Sequence, residues 1–183
     1  GSLPWLGTRQ GDDVSLANLA EYIDWTFFFH AWEMKGRYPD ILHDAKQGPA
    51  ATELFENAQS LLQEILSKGQ LQAKGAHGFW PANGDGDDIV LWTDETAKTE
   101  LCRLPMLRQQ RDRGEGVSCE CLADFVAPID SGIVDGVGAF AVTTGLGVDE
   151  LVRGFEKDLD DYQAIMTKAL ADRLAEAFAE FLH

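Results

Sequence analysis

Residues 75–93 read GAHGFWPANGDGDDIVLWT, and within them the hydrophobic period is two rather than 3.6. Gly75–Ala82 and Ile89–Thr93 alternate as strands. The polar run Asn83-Gly84-Asp85-Gly86-Asp87-Asp88 between them has the composition of a hairpin loop. Lys98–Leu104 can pair as a third strand. Leu122–Val126 and Val137–Thr143 are two more, separated by the turn formers Pro128, Ser131 and Gly132. Upstream of this block the period is helical. Leu54, Phe55, Ala58, Leu61, Leu62, Ile65 and Leu66 draw one stripe from Pro49 to Lys68. Pro49 suits the first turn of that helix, and Gly69 suits its left-handed cap. Helices, then strands, then a closing helix predict an α+β fold: an antiparallel sheet flanked by helices, with a long C-terminal helix.

The two ends complete the outline. Gly1-Ser2 has the look of a cloning scar, and residues 3–14, with Pro4, Gly7 and Gly11, predict an extended arm. Ser15 is the expected N-cap of a short helix through Leu16, Leu19, Ala20 and Ile23, and Thr26 that of a second from Phe27 to Met34. Trp25, Phe27, Phe28, Phe29 and Trp32 are too apolar together to be left in water. From Asp149 to His183, Leu151, Phe155, Leu159, Tyr162, Met166, Leu170, Leu174, Phe178 and Phe181 recur as the stripe of one helix. Asp160-Asp161 reads as solvated charge in its middle. The helix reaches His183 with no capping signal, so the domain, residues 15–183, is expected to be incomplete at its C-terminus.

Composition excludes several classes. With 31 acidic against 15 basic residues and a formal charge of −16, the chain lacks the cationic surplus that binds nucleic acid or anionic lipid. No apolar run approaches the roughly 20 residues that span a bilayer, and a cytoplasmic protein is expected. Cys102, Cys119 and Cys121 fit a reducing compartment, and Cys119-Glu-Cys121 finds no partner at zinc-site spacing among the four histidines. Asn83, Asp85 and Asp87 mimic the first positions of a calcium loop. Position six is Asp88 rather than Gly, and position twelve is Asp94 rather than Glu. No metal site and no catalytic residue is expected. Neither a nucleotide-binding glycine pattern nor a nucleophile elbow is present.

Two carboxylates remain open. Asp24, between Ile23 and Trp25, is either a helix cap or a ligand anchor beside an aromatic pocket. Glu176, on the side of the terminal helix opposite Leu174 and Phe178, reads by period alone as a solvated face.

Several stretches recur in order in one family. They are Tyr22-Ile-Asp24-Trp25-Thr26, Gly36-Arg37-Tyr38-Pro39, Pro81-Ala82-Asn83 with Gly86-Asp87-Asp88-Ile89, and Leu107-Arg108-Gln109-Gln110. Cys121-Leu-Ala-Asp124-Phe125-Val126-Ala127-Pro128, Gly138-Ala-Phe140-Ala-Val-Thr143, Asp161-Tyr162, Lys168-Ala-Leu-Ala-Asp172-Arg173-Leu174-Ala175-Glu176-Ala177-Phe178 and Leu182-His183 follow. Together they resemble the C-terminal activation domain of cobalamin-dependent methionine synthase. The resemblance implies a reactivation module for methionine biosynthesis, part of a methyltransferase. Such a module binds S-adenosylmethionine and closes over the corrinoid-binding domain of the same parent chain. An electron from flavodoxin or a related flavoprotein then permits reductive methylation of cob(II)alamin. It also implies that Asp24 and Glu176 contact S-adenosylmethionine.

The departures are specific. The family's R-x-x-x-G-Y motif has no counterpart here, and Arg153-Gly154-Phe155 is no substitute. The corrinoid motif D-x-H-x-x-G is absent, so cobalamin is expected on another domain. The fragment alone is then expected to have no activity and an incomplete S-adenosylmethionine site. The rival expectation is a non-catalytic docking domain for a corrinoid protein or flavodoxin.

Overall fold

The computed structural model describes residues 6–11, 14–111, 114 and 116–183. Gly1-Ser2 and residues 3–5, 12 and 13 of the expected arm lie outside them. Strands β1 (Gly7–Gly11), β2 (Gln72–Asp85), β3 (Asp88–Trp92), β4 (Glu100–Pro105) and β5 (Asp135–Leu146) form one sheet. Its order is β1-β2-β3-β4, with β5 also paired to β2. The β2–β3 and β3–β4 pairs are antiparallel. Helices α1 (Leu16–Ala20), α2 (Trp25–Ala31) and α3 (Gly48–Lys68) precede most of the sheet, and α4 (Val148–Lys157) and α5 (Asp161–Leu182) follow it. The α+β class is the one expected. The chain forms two compact units, residues 1–10 with 76–140 and residues 11–75 with 141–183.

The first unit is built on the β2–β3 hairpin. The expected six-residue loop is shorter than its composition suggested: Asp85 pairs with Asp88, leaving Gly86, at φ +63°, and Asp87 as the turn. Asn83 therefore lies inside β2 and is buried. Its amide donates to the carbonyls of Ala127 (2.9 Å) and Ile133 (2.7 Å), and its oxygen accepts from Trp92 Nε1 (2.9 Å). Gly84 beside it lets the returning chain lie on the strand, since a Cβ there would stand 2.7 Å from the Ala123 carbonyl oxygen. The strand expected at Leu122–Val126 is instead a 3-10 turn, Leu122–Phe125. Its three-residue period buries Ala123 and Val126 and exposes Leu122 and Phe125.

Two arginines neutralise the acidic turn. Arg103 reaches Asp85 (2.8 Å), Glu100 (3.2 Å) and Asp88 (3.4 Å). Arg108 bonds Asp87 (2.7 Å) and holds Asp124 through both terminal nitrogens at 2.7 and 2.8 Å. Asp124 also accepts from the Cys121 N–H at 2.9 Å. The Arg108 bonds and then the Cys121 N–H bring its pKa from 3.8 down to about 2, against a smaller opposing effect of desolvation.

The second unit holds the larger core. Ser15 caps α1 as expected, accepting from the Ala17 N–H at 3.2 Å. Thr26 does not cap α2. Asp24 does, and the Thr26 hydroxyl accepts from the Tyr38 N–H instead. In α3, Pro49 sits in the first turn and Gly69 takes φ +59° at the C-cap, as the sequence predicts. The single helix expected over Asp149–His183 is two. Leu159 turns left-handed at φ +58° and is 89% exposed, so it leaves the stripe. Asp160, far from being mid-helix charge, caps α5 by accepting from the Gln163 N–H at 3.1 Å. Helix α5 buries Met166, Leu170, Leu174 and Phe178, and α1, α2, α3 and α4 all pack on it.

Two tests follow from this packing. Gly147 caps α4 at φ +101°, and a Cβ there would stand 2.3 Å from the Gln70 carbonyl oxygen. Gly147→Ala should destabilise by about 2–4 kcal/mol, through strain and overpacking together. Gly69→Ala, whose Cβ meets nothing within 4 Å, should cost about 1 kcal/mol; denaturant midpoints compare the two. The second test is acid titration. Because the folded pKa of Asp124 lies below its ordinary value, its contribution is complete above pH 3.8 and is lost as pH falls towards about 2. Asp124→Asn should flatten the fall of the unfolding midpoint across that window, and an unchanged slope would refute the assignment.

Candidate functional site

Asp24 and Glu176 both belong to the second unit. Asp24 closes the four-residue corner between α1 and α2. Ile23 before it is buried, which fixes the corner against the core, and the Asp24 side chain is left at the surface. Its Oδ1 accepts from the Thr26 N–H at 2.8 Å. The alternatives of cap and ligand anchor are thus compatible. A carboxylate has acceptor capacity on two oxygens, and the cap uses one.

Glu176 is exposed on α5, as its period implies. Two ring contacts bring its helix against the corner that carries Asp24. Tyr22 meets Phe181 edge-on with centroids 5.6 Å apart, and the Arg173 guanidinium lies over the Phe27 ring at 5.9 Å. Asp24 falls between Tyr22 and Phe27 in the chain, and Glu176 falls between Arg173 and Phe181. The two contacts therefore bring together the two segments that carry these carboxylates. Asp172, Glu176 and Glu180 form a row at i, i+4 spacing, an arrangement of mutual repulsion that a cation relieves. From Val14 to Met34 there is no Lys or Arg, and from Leu174 onward there is none either. These two stretches are acidic, although Arg37 adjoins the Tyr38 that bonds Thr26.

Asp24 and Glu176 are legible in the sequence, whereas the contacts that join their segments are not. Phe27 stood out only as one of an aromatic cluster, and Tyr22 and Arg173 only as parts of recurring stretches. The Arg173–Phe27 contact joins residues far apart in sequence, and no local period reports such a pair. Neither carboxylate lines either of two clefts on the same unit. One, of about 390 Å³, lies at Trp32, Met34, Glu53, Asn57 and Tyr162. The other, of about 620 Å³, lies at Gly69, Gln70, Gly147 and Glu150.

Among the described residues, no group of three or more His, Cys, Asp or Glu is placed to hold a metal ion. The acidic residues of the calcium-like stretch are engaged by Arg103 and Arg108. Cys102, Cys119 and Cys121 are free thiols, and Cys121 is buried. No helix among the described residues is long and apolar enough to cross a membrane.

Residues 15–183 match the family described as the vitamin B12-dependent methionine synthase activation domain. The chain is also similar to a solved structure of the MetH reactivation domain bound to AdoHcy, with a TM-score of 0.91 and 48% sequence identity. That alignment covers 97% of this chain and 54% of the other, so this chain spans about half the length of that relative. A family match that runs from α1 through α5, joined to close identity with a solved member of the same fold, makes the conclusion plain: this chain belongs to the activation-domain family of vitamin B12-dependent methionine synthase.

Proposed function

We propose that this chain is the S-adenosylmethionine-binding part of a methionine synthase reactivation module. The observation that carries the reading is the contact between the segments that bear Asp24 and Glu176, in a chain 48% identical to a reactivation domain solved with AdoHcy. S-adenosylmethionine carries a sulfonium and an ammonium group. Two carboxylates supply the charge that attracts both.

In the parent protein the domain presents the ligand's methyl group to a corrinoid held by another domain. When bound there, the corrinoid supplies a nucleophilic cobalt centre that accepts the methyl after one-electron reduction. What this chain contributes is orientation. Asp24 and Glu176 fix the cationic end of the ligand, so that its methyl group is held in one direction rather than tumbling. Neither residue takes part in bond making. Reductant delivery by flavodoxin or a related flavoprotein, a cytoplasmic setting, and a lack of methyl-transfer activity in the isolated chain belong to the same proposal. A purely docking role is the competing reading.

Calorimetry separates the two. In the protein extended to the length of its solved relative, Asp24→Asn and Glu176→Gln should each weaken S-adenosylmethionine binding by about tenfold or more, the loss of a charge-assisted contact. Unchanged affinity in both would favour docking. The chain of 183 residues should bind the ligand much more weakly than the extended protein. Equal affinity would contradict the placement of further ligand contacts outside it.

A further inference from the structure

Arg173 is the single cation of the α5 surface that carries Glu176: Lys168 lies more than a turn away, and no Lys or Arg follows Arg173. A guanidinium three residues before a glutamate on a helix is within pairing reach of it. Such a pair would neutralise Glu176 and remove its attraction for a cationic ligand. The observed side chain goes elsewhere. Arg173 pairs with Asp172, its neighbour in the chain, and lays its guanidinium over the Phe27 ring of α2 at 5.9 Å, within cation–π reach. It is 17% exposed while Asp172 is 67% exposed, so the arginine is drawn in towards α2 and meets the acidic row at Asp172, not at Glu176.

We propose that Phe27 and Asp172 hold Arg173 off Glu176 and so keep that carboxylate free for ligand. Phe27 and Arg173 are then positioning residues, acting through Glu176 rather than on the ligand. The inference rests on the reading that Asp24 and Glu176 bind S-adenosylmethionine, and it adds a reason for two features that reading leaves unexplained. One is an aromatic ring, Phe27, left 56% exposed at the helix surface. The other is a mostly buried arginine in an acid-rich helix. The ring offers the guanidinium a face that competes with the carboxylate.

The test is a set of variants of the extended protein, each checked for an unchanged thermal midpoint and titrated with S-adenosylmethionine. Phe27→Leu removes the ring and frees Arg173 to pair with Glu176, so affinity should fall by about three- to tenfold. The same substitution in a Glu176→Gln background should have no further effect, because there is no charge left to neutralise. In an Arg173→Met background it should also have none, because there is no cation left to move. An equal loss in the Glu176→Gln background would mean that Phe27 touches the ligand or acts only on the fold, and would overturn the proposal. So would full affinity in Phe27→Leu alone, provided Asp24→Asn still weakens binding. If Asp24→Asn and Glu176→Gln both leave binding intact, the site reading itself fails and the proposal falls with it.

Discussion

The position of α5 depends on one close approach. A Cβ at Gly75 would stand 2.8 Å from the tip of the Phe178 ring, so only glycine lets that ring lie against the start of β2. Phe178 is buried there, at the end of the row Met166, Leu170, Leu174 and Phe178. A second tie fixes the helix from β5: the buried Thr144 hydroxyl donates to the Ala171 carbonyl at 2.7 Å. With α5 held by these two contacts, the four other helices of its unit pack around it. Burying one face of α5 leaves the opposite one outward, and Asp172, Glu176 and Glu180 stand on that outward side. The candidate site is thus a consequence of how one helix is seated.

Charge is handled differently in the two units. In the first, the acidic residues of the hairpin turn each meet an arginine, Asp85 and Asp88 at Arg103 and Asp87 at Arg108. Those pairs are partly exposed, and their chief effect is to fix the turn and the 3-10 segment against each other rather than to add much stability. On α5 the arrangement is reversed. One arginine faces a row of three carboxylates and is turned aside onto an aromatic ring. Among the described residues no ion pair reaches Glu176 or Glu180, whereas Asp172 of the same row is paired with that arginine.

Much of the fold was legible where one local signal dominated. Pro49 and Gly69 bound α3, and Ser15 capped α1, because a cap reports a single chain segment. The break between α4 and α5 also had a local signal, Asp160 followed three residues later by Gln163, but the apolar period ran across it and masked it. Leu122–Phe125 failed as a strand because a short stretch cannot distinguish period two from period three. Its turn depends on Asp124, whose partners Arg108 and Cys121 are set by tertiary contact and capping together. The same divide runs through the site. Asp24 was legible as a cap or anchor. Glu176 read by period as a solvated face and is exposed; the family resemblance alone singled it out, and the contact of its helix with the corner that carries Asp24 is a relation no single-helix period contains.

The central claim is that these two carboxylates address one ligand. A crystal structure of the extended protein with S-adenosylmethionine bound tests it most directly. Asp24 and Glu176 should both lie within hydrogen-bonding distance of the ligand's cationic end, with Arg173 still over Phe27. A ligand seated elsewhere, with both carboxylates facing open solvent, would contradict it.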